Sequence, residues 1–384
     1  MGLQKRSALG LATLLVLGAL FSGCGMLIEQ TQLDVRPHQV ETAPVSTEDV
    51  ITVESQAQLE QAIWELVQAR EESGLFRVLH SEADGTESVE AAVQEVHRRP
   101  LAAYAVSIFQ HRILPERQGV IELLISYQKT AEQMAGVRTV NLPATAERIL
   151  EQMLHNGETE LAMLCPATIA NVSFLESIIR NYYYSQALNV VIRPYVVINL
   201  YPGSGSGTLR IAEVLLDFGF DQATLLGMRD DLHQAARELI TQIPEELTPP
   251  QKIIWLAETM SAWDRPTPAD FDRLHNIQDT AYGALTRSTA SSEGFAMAFK
   301  ALLVLLEIDA LFVTGELDGQ PHAWNLVYID GYYYHIDVSM LGAIGPDLTL
   351  FVPDEIMMFQ NGYSWDAVLY PRADSLLRFG DFAG

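Results

Sequence analysis

The sequence predicts an α+β protein in which two similar α/β modules precede a C-terminal domain of helices and strands. Three observations support this prediction. The chain has 384 residues, 48% of them hydrophobic and 19% charged, which is enough to bury two or three separate cores. Apolar residues recur with helical and with strand periods in alternation along the chain. Part of this alternating pattern occurs twice.

Charge and cysteine content exclude several classes of protein. Lys and Arg number 24 and Asp and Glu 49, so the net charge is −25. We expect no nucleic-acid partner, because such binding depends on neutralising phosphates, and an anionic bilayer surface would also repel the chain. Two cysteines are too few for a disulfide-rich scaffold or a zinc site of three or four thiolates. No acidic loop has the ligand spacing of a calcium site, and we expect no metal and no cofactor.

The N-terminus has the three parts of a secretory signal. Lys5 and Arg6 supply positive charge, residues 9–20 form an apolar run, and the small pair Ser22-Gly23 precedes Cys24. The run is short for a membrane-spanning helix, which needs roughly 20 apolar residues.

The end of this signal resembles the lipobox of bacterial lipoproteins. The resemblance implies cleavage after Gly23 and a lipid on the Cys24 thiol, which would hold the protein on the outer face of a bacterial cell membrane. Residues 1–23 would then be the signal peptide, and the polar residues 24–50 a tether. The alternative is an ordinary cleaved signal or an uncleaved anchor.

The two α/β modules are predicted for residues 51–136 and 137–244. Residues 122–127 resemble residues 213–218 in their apolar pattern, and a polar stretch ending in glycine follows both. Further strands are predicted at residues 76–79, 104–109, 161–164 and 195–200. Cys165 follows one of these apolar runs, and we expect it to be a buried structural residue.

The pattern of residues 245–384, the last third of the chain, predicts a separate domain. Thr248-Pro249-Pro250 is a typical helix start, and a second helix with an apolar face begins near Ser291-Ser292. Two strands, 322–329 and 332–338, meet at Asp330-Gly331, a dipeptide that strongly favours a hairpin turn.

This segment resembles the transglutaminase-like domain of the papain-type cysteine peptidase superfamily. That family has Cys-x-Gly-Tyr-Ala at a helix start, then His-Ala-Trp-Asn on a strand, then an Asp after the hairpin. The matching segments here are 292–296, 322–325 and 335–337, with further matches at 281–285 and 351–355. The resemblance implies a papain-like fold and a catalytic triad of Ser292, His322 and Asp337, with His322 as the base and Asp337 as its orienting partner.

The nucleophile position departs from the family, because Ser292 stands where the family has cysteine. A cysteine reacts as a thiolate paired with imidazolium, whereas a serine hydroxyl is a far weaker acid and must lose its proton during attack. Three interpretations stay open. The domain is catalytically impaired and binds a peptide or an amine-bearing cell-envelope polymer in the remaining cleft; or it is an active Ser-His-Asp acyl-transfer enzyme; or the serine is an engineered or erroneous replacement in an active cysteine enzyme.

Overall fold

The computed structural model of the chain describes residues 50–81, 84–117, 119–203, 208–265, 277–359 and 362–383. The predicted signal peptide, Cys24 and the tether lie outside these ranges, apart from residue 50. Within the described ranges no helix combines the length and the apolar character needed to cross a bilayer. The strands of these described residues form three four-stranded sheets with helices packed on them, which confirms the predicted α+β fold class.

The first sheet lies between residues 50 and 127. The strands and helices of this part of the chain are β1 (Val50–Val53), α1 (Gln56–Ala69), β2 (Ser73–Val78), α2 (Thr86–His97), α3 (Pro100–Ala105), β3 (Val106–Ile113) and β4 (Val120–Tyr127). The strands lie in the order β1-β2-β4-β3, with β1 and β2 parallel and the other pairs antiparallel. Helix α1 connects the parallel pair, as a parallel crossover requires.

The second sheet repeats this arrangement. Its elements are α4 (Ala131–Ala135), β5 (Arg138–Thr139), α5 (Pro143–Asn156), β6 (Glu160–Pro166), α6 (Val172–Ser185), β7 (Tyr195–Tyr201), β8 (Leu209–Asp217) and α7 (Gln222–Ile240). The order is β5-β6-β8-β7, again with the first pair parallel and the others antiparallel. The two sheets therefore share one topology, which agrees with the sequence repeat.

The third sheet belongs to the C-terminal part of the chain. The elements are α8 (Pro249–Ser261), a 3₁₀ turn (Ile277–Asp279), α9 (Ala281–Arg287), α10 (Ser292–Leu305), β9 (Ala310–Leu317), β10 (Gln320–Ile329), β11 (Tyr332–Ile336), α11 (Leu341–Ile344), α12 (Pro346–Thr349), α13 (Asp354–Phe359), β12 (Tyr363–Ser364) and α14 (Phe379–Phe382). The strands lie in the order β11-β10-β9-β12, all antiparallel. Asp330 and Gly331 both have positive φ, as a tight hairpin between β10 and β11 requires.

Helix α10 lies at the centre of the C-terminal part. All ten residues from 294 to 303 are buried, so the helix contacts protein on every side. Its apolar side chains join those of the second sheet in one continuous core. The first sheet has a core of its own, and the face of the third sheet around Trp324 carries another.

One strand predicted from the sequence is wrong in its position. Residues 104–109 were expected to be extended, but Tyr104 and Ala105 end helix α3, and the strand runs from Val106 to Ile113. The reason is tertiary: Pro100 starts the helix, and the Tyr104 ring packs edge-on against Tyr201 of the second sheet, 5.5 Å between centroids. The strand propensity of residues 104–109 carries no information about this contact with the second sheet.

Candidate active site

His322 and Asp337 lie side by side at one end of the third sheet. Strands β10 and β11 pair with Asn325 opposite Ile336, so the residues before Asn325 and after Ile336 meet on neighbouring strands. The distance from His322 Nε2 to Asp337 Oδ2 is 2.6 Å. The exposed fractions of the two side chains are 10% and 1%. Two of the three residues of the predicted triad are therefore in direct contact.

The Asp337 carboxylate accepts hydrogen bonds at both oxygens. Ser339 Oγ donates to Oδ1 at 2.7 Å and the Met340 amide to the same oxygen at 3.2 Å, while the Tyr363 hydroxyl donates to Oδ2 at 2.6 Å. Burial by itself raises the pKa of a carboxyl group, but the bonds from His322, Ser339 and Tyr363 outweigh it and hold the Asp337 pKa below its ordinary value. The carboxylate is therefore ionised at neutral pH and able to stabilise an imidazolium.

The hydrogen bond to Asp337 fixes which nitrogen of His322 is available. Because Nε2 faces the carboxylate, Nδ1 is the ring nitrogen left for a reacting group. The Tyr363 ring packs edge-on against the imidazole, with 5.6 Å between centroids, and the Trp324 ring lies at 6.2 Å. These aromatic neighbours restrict the ring to the orientation that Asp337 requires.

A second histidine, His335, supports the site through its hydrogen bond with Trp324. Trp324 Nε1 donates to His335 Nδ1 at 2.8 Å, so the proton of the His335 ring lies on Nε2, which donates to Asp354 Oδ1 at 2.9 Å. Burial lowers the pKa of His335, which keeps it neutral. His335 is therefore a structural link that positions Trp324 beside His322.

Ser292 is the first residue of helix α10. Ser291 caps the helix through its hydroxyl, which accepts from the Gly294 amide at 3.3 Å and donates to Asp279 at 2.5 Å. The Asn325 side chain donates to the Ala296 carbonyl at 3.0 Å, and this bond joins the N-terminal half of the helix to β10. Ser292 is half-buried at the positive end of the helix dipole, the position that favours an anionic nucleophile.

Ser292 is not bonded to His322. Among the residues that the structure describes, the Ser292 hydroxyl makes no hydrogen bond, so the predicted triad is joined only between His322 and Asp337. Ser339 Oγ is 3.5 Å from His322 Nε2, but it is buried and donates to Asp337, which excludes it as a nucleophile. The role of Ser292 therefore stays a prediction.

Three further residues around this site were not found from the sequence. Tyr363 comes from the short strand β12 and had no motif to mark it. Ser339 follows Asp337 at a spacing of two, a weak local signal. Glu293, the neighbour of Ser292, accepts from the Tyr184 hydroxyl at 3.2 Å and pairs with Arg193 at 3.3 Å. These two contacts connect the first turn of α10 to the part of the chain that carries the second sheet. Burial raises the pKa of Glu293, and the nearby charge of Arg193 opposes this rise.

The described residues hold no cluster of three or more potential metal ligands. Cys165, the described cysteine, is a free thiol buried in strand β6, and burial raises its pKa to about 11. This fits the structural role expected for it and makes it a poor nucleophile.

No protein family matches the chain, and no curated protein matches it. Several solved structures are similar to this chain in part, among them the following two. One is a TGase with 11% identity and a TM-score of 0.26, covering 58% of this chain, which spans 65% of that structure, less than two thirds of its length. The other is a cysteine protease candidate from Cytophaga hutchinsonii, with 14% identity and a TM-score of 0.25, covering 48% of this chain and 72% of that one. At these TM-scores neither likeness establishes a function for this chain.

Proposed function

We propose that residues 245–384 form a transglutaminase-like domain whose cleft, around Ser292, His322 and Asp337, binds an extended peptide or an amine-bearing cell-envelope chain with little or no turnover. The observation that carries the proposal is the contact of His322 with Asp337, whose buried carboxylate is hydrogen-bonded at both oxygens, in a domain whose corresponding helix begins with serine instead of cysteine. His322 and Asp337 are the base and the orienting partner expected of an acyl-transfer enzyme. The residue at the nucleophile position, Ser292, is the one that differs.

The chemistry of oxygen explains why this alteration impairs the site. A thiol of pKa about 8.5 becomes a stable thiolate next to an imidazolium and a helix N-terminus. A serine hydroxyl does not ionise there, so its proton must pass to His322 while the bond to the substrate forms. That transfer needs a hydrogen bond between the hydroxyl and the imidazole, and Ser292 makes no such bond within the described part of the chain.

Restoring the thiol tests the proposal. In Ser292→Cys, the new thiol should be alkylated by iodoacetamide at pH 7 about tenfold faster than an ordinary exposed cysteine, because His322 and the helix dipole favour the thiolate. Peptide mapping by mass spectrometry measures the rate at position 292, with the buried Cys165 as a slow internal reference.

Two matched variants control this experiment. Ser291→Cys places a thiol one residue away, where the native hydroxyl faces Asp279, and it should react slowly. His322→Ala in the Ser292→Cys background should remove most of the acceleration. If the thiol at 292 reacts no faster than the one at 291, the cleft does not have the geometry proposed.

An active serine enzyme is the competing function, and the unaltered protein tests it. The His322–Asp337 pair would also serve a serine nucleophile if substrate binding moved Ser292 into contact with Nδ1. Covalent labelling of unaltered Ser292 by a fluorophosphonate, lost in His322→Ala, would replace the impaired-site proposal with this one. We expect no labelling.

Membrane attachment through Cys24 is the second part of the proposal. The lipobox-like segment ending at Cys24 supports it, since a chain of net charge −25 needs a device other than surface charge to stay on a bilayer. The unaltered protein should sediment with bacterial membranes and carry an acylated N-terminal residue 24. Cys24→Ala should be released or remain unprocessed. A soluble mature protein with a different N-terminus would contradict the attachment.

A further inference from the structure

A second cleft lies where the second sheet meets the C-terminal part of the chain. It has a volume of about 760 Å³ and is bounded by helix α6, strand β9, helix α10 and residues 369–370. Tyr184, whose hydroxyl donates to Glu293 next to Ser292, lines this cleft, but His322, Asp337 and Tyr363 do not. Cavities of this size, placed between two parts of a fold, are typical of sites for small molecules.

Lys300 occupies the wall of this cleft and is the anomalous residue of helix α10. The helix is otherwise apolar from 294 to 303, yet Lys300 is buried with 7% of its surface exposed. Its Nζ donates to the Tyr184 carbonyl at 2.9 Å, and no carboxylate pairs with it among the described residues. Burial alone lowers the pKa of Lys300 to about 8. An ammonium has three donors, so two remain for a partner in the cleft.

The charge of the cleft is opposite to that of the protein. Arg180 lines the cleft from helix α6, is exposed, and has no carboxylate partner in the described ranges. No Asp or Glu lines the cleft, although these residues outnumber Lys and Arg by 49 to 24 in the chain. A buried cation without a counter-ion is costly and is usually matched by an anion.

The remaining walls are polar and aromatic. Tyr184 and Phe312 stack face to face with 4.3 Å between ring centroids, and the Tyr370 hydroxyl accepts from the Thr314 amide at 3.2 Å. Asn181 and Ser185 add side-chain hydrogen-bonding groups on the α6 side. Together these walls would hold the body of an organic molecule beside the two cations.

We propose that this cleft binds a small organic anion, whose carboxylate or phosphate group pairs with Lys300 and Arg180 while its body lies against Leu311 and Tyr370. The site uses neither His322 nor Asp337, although its wall residue Tyr184 also contacts Glu293 beside Ser292. It uses residues from α6 and from α10, which only the assembled chain brings together.

Pyridoxal 5′-phosphate tests the site, because it joins an anionic group to an aldehyde that captures lysine. The neutral amine attacks the aldehyde carbon, a C=N bond forms, the carbonyl oxygen leaves as water, and borohydride then adds hydride to the carbon of the imine. The chain has four lysines, and Lys252 of α8 serves as an internal reference. Tryptic mapping of the full-length protein at pH 8 gives the ratio of labelling at Lys300 to that at Lys252.

The site predicts a ratio of at least about five with pyridoxal 5′-phosphate, and a ratio about tenfold lower with pyridoxal, which lacks the phosphate. Arg180→Gln should remove most of this difference, whereas Arg287→Gln, an exposed arginine of α9 outside the cleft, should leave it unchanged. Inorganic phosphate and benzoate, added separately as competitors, distinguish a preference for phosphate from one for carboxylate. Labelling of Lys300 no faster than Lys252, or equal ratios with the two reagents, or no effect of Arg180→Gln would each overturn the proposal.

Discussion

At the scale of single residues, the candidate site depends on a carboxylate that is buried and yet ionised. Asp337 directly follows β11, and its carboxylate contacts His322 on β10 and Tyr363 on β12. Residues from three strands or their ends therefore meet at this side chain. Each hydrogen bond to the carboxylate offsets part of the cost of burying its charge. Burial and Asp337 together raise the pKa of Tyr363 above its ordinary value, so its hydroxyl is protonated and remains a donor at neutral pH.

Removing the Tyr363 hydroxyl should weaken this arrangement measurably. Tyr363→Phe should lower the free energy of unfolding at pH 7 by about 1.5–3 kcal/mol, the usual value of a hydrogen bond to a charged group. The folded-state pKa of Asp337 lies below its unfolded value of about 3.9, so its stabilisation is complete above pH 4 and is lost as the pH falls further. The difference between the two proteins should therefore shrink below pH 4. Urea denaturation across this range measures it.

The exposed Tyr328 on β10 provides the matched control. Its ring packs on Tyr333 and its hydroxyl makes no hydrogen bond among the described residues. Tyr328→Phe should change the free energy of unfolding by less than about 0.5 kcal/mol. Equal effects of the two substitutions would mean that the bond to Asp337 adds nothing to stability.

His322 and Asp337 lie next to each other because both belong to one hairpin, whose turn at Asp330-Gly331 fixes the register and is visible in the sequence. Tyr363 was missed because its position depends on how β12 pairs with β9, and no short motif encodes that pairing. Lys300 was missed for a related reason: a lysine in an apolar helix suggests an exposed face until the second sheet is found to cover it.

At the scale of elements, helix α10 is held by close backbone contact at its first turn. A Cβ on Gly294 would lie 2.1 Å from the carbonyl oxygen of Gln278, in the turn that precedes α9. This distance is far below van der Waals contact, and the opposing atom belongs to the backbone. Glycine at this position lets the helix start approach that turn, and it fixes where Ser292 lies.

Gly294→Ala should therefore destabilise the protein, although alanine is the better helix former. We expect a loss of about 1–3 kcal/mol in the free energy of unfolding, from overpacking against a backbone that cannot move aside. In the Ser292→Cys background it should also slow alkylation at 292. Gly227→Ala in helix α7 is the matched control, since a Cβ there meets no atom within 4 Å. That substitution should stabilise the protein by about 0.5–1 kcal/mol. Effects of the same sign would contradict the contact.

Most elements followed from periodicity and from end signals in the sequence. Thr248 caps α8 ahead of two prolines, and the strands near residues 161–164 and 195–200 lie where the apolar runs indicated. The error at residues 104–109 has a physical cause, because the Tyr104 side chain packs on the second sheet and not on its own. Contacts between modules cannot be read from local pattern.

At the scale of the whole molecule, the two repeated sheets are connected to the rest in different ways. The first sheet has a separate core and contacts the second through a small cluster around Tyr104 and through the ion pair of the partly buried Lys129 with the buried Glu213. The second sheet has no separate core: its apolar side chains continue into helices α8, α9 and α10. The predicted boundary between residues 244 and 245 thus falls inside one core, whereas the boundary between 136 and 137 falls between two.

The small contact between the first two sheets depends on charge. Glu213 accepts from Lys129, from the Asn199 amide at 3.0 Å and from the Tyr201 hydroxyl at 3.2 Å. Glu213→Gln should lower the free energy of unfolding of the full chain by about 1–3 kcal/mol, because it leaves the partly buried Lys129 without a counter-ion. In a fragment that lacks residues 1–136, Lys129 is absent and Glu213 faces water, so the same substitution should have little effect. Comparing the full chain with this fragment therefore tests whether Glu213 stabilises the protein through Lys129.

Dissection of the chain should follow the cores and not the repeat. Fragments 50–136 and 137–384 should each unfold cooperatively in urea, because each keeps a whole core. Fragment 245–384 should not, because removing the second sheet exposes the apolar faces of α9 and α10 and leaves Lys300 without the Tyr184 carbonyl. Circular dichroism and binding of a hydrophobic dye measure both properties, and we expect strong dye binding by the shortest fragment alone. Cooperative unfolding of fragment 245–384, with a free energy close to that of 137–384, would show that the C-terminal part is independent and that its shared core with the second sheet adds little stability.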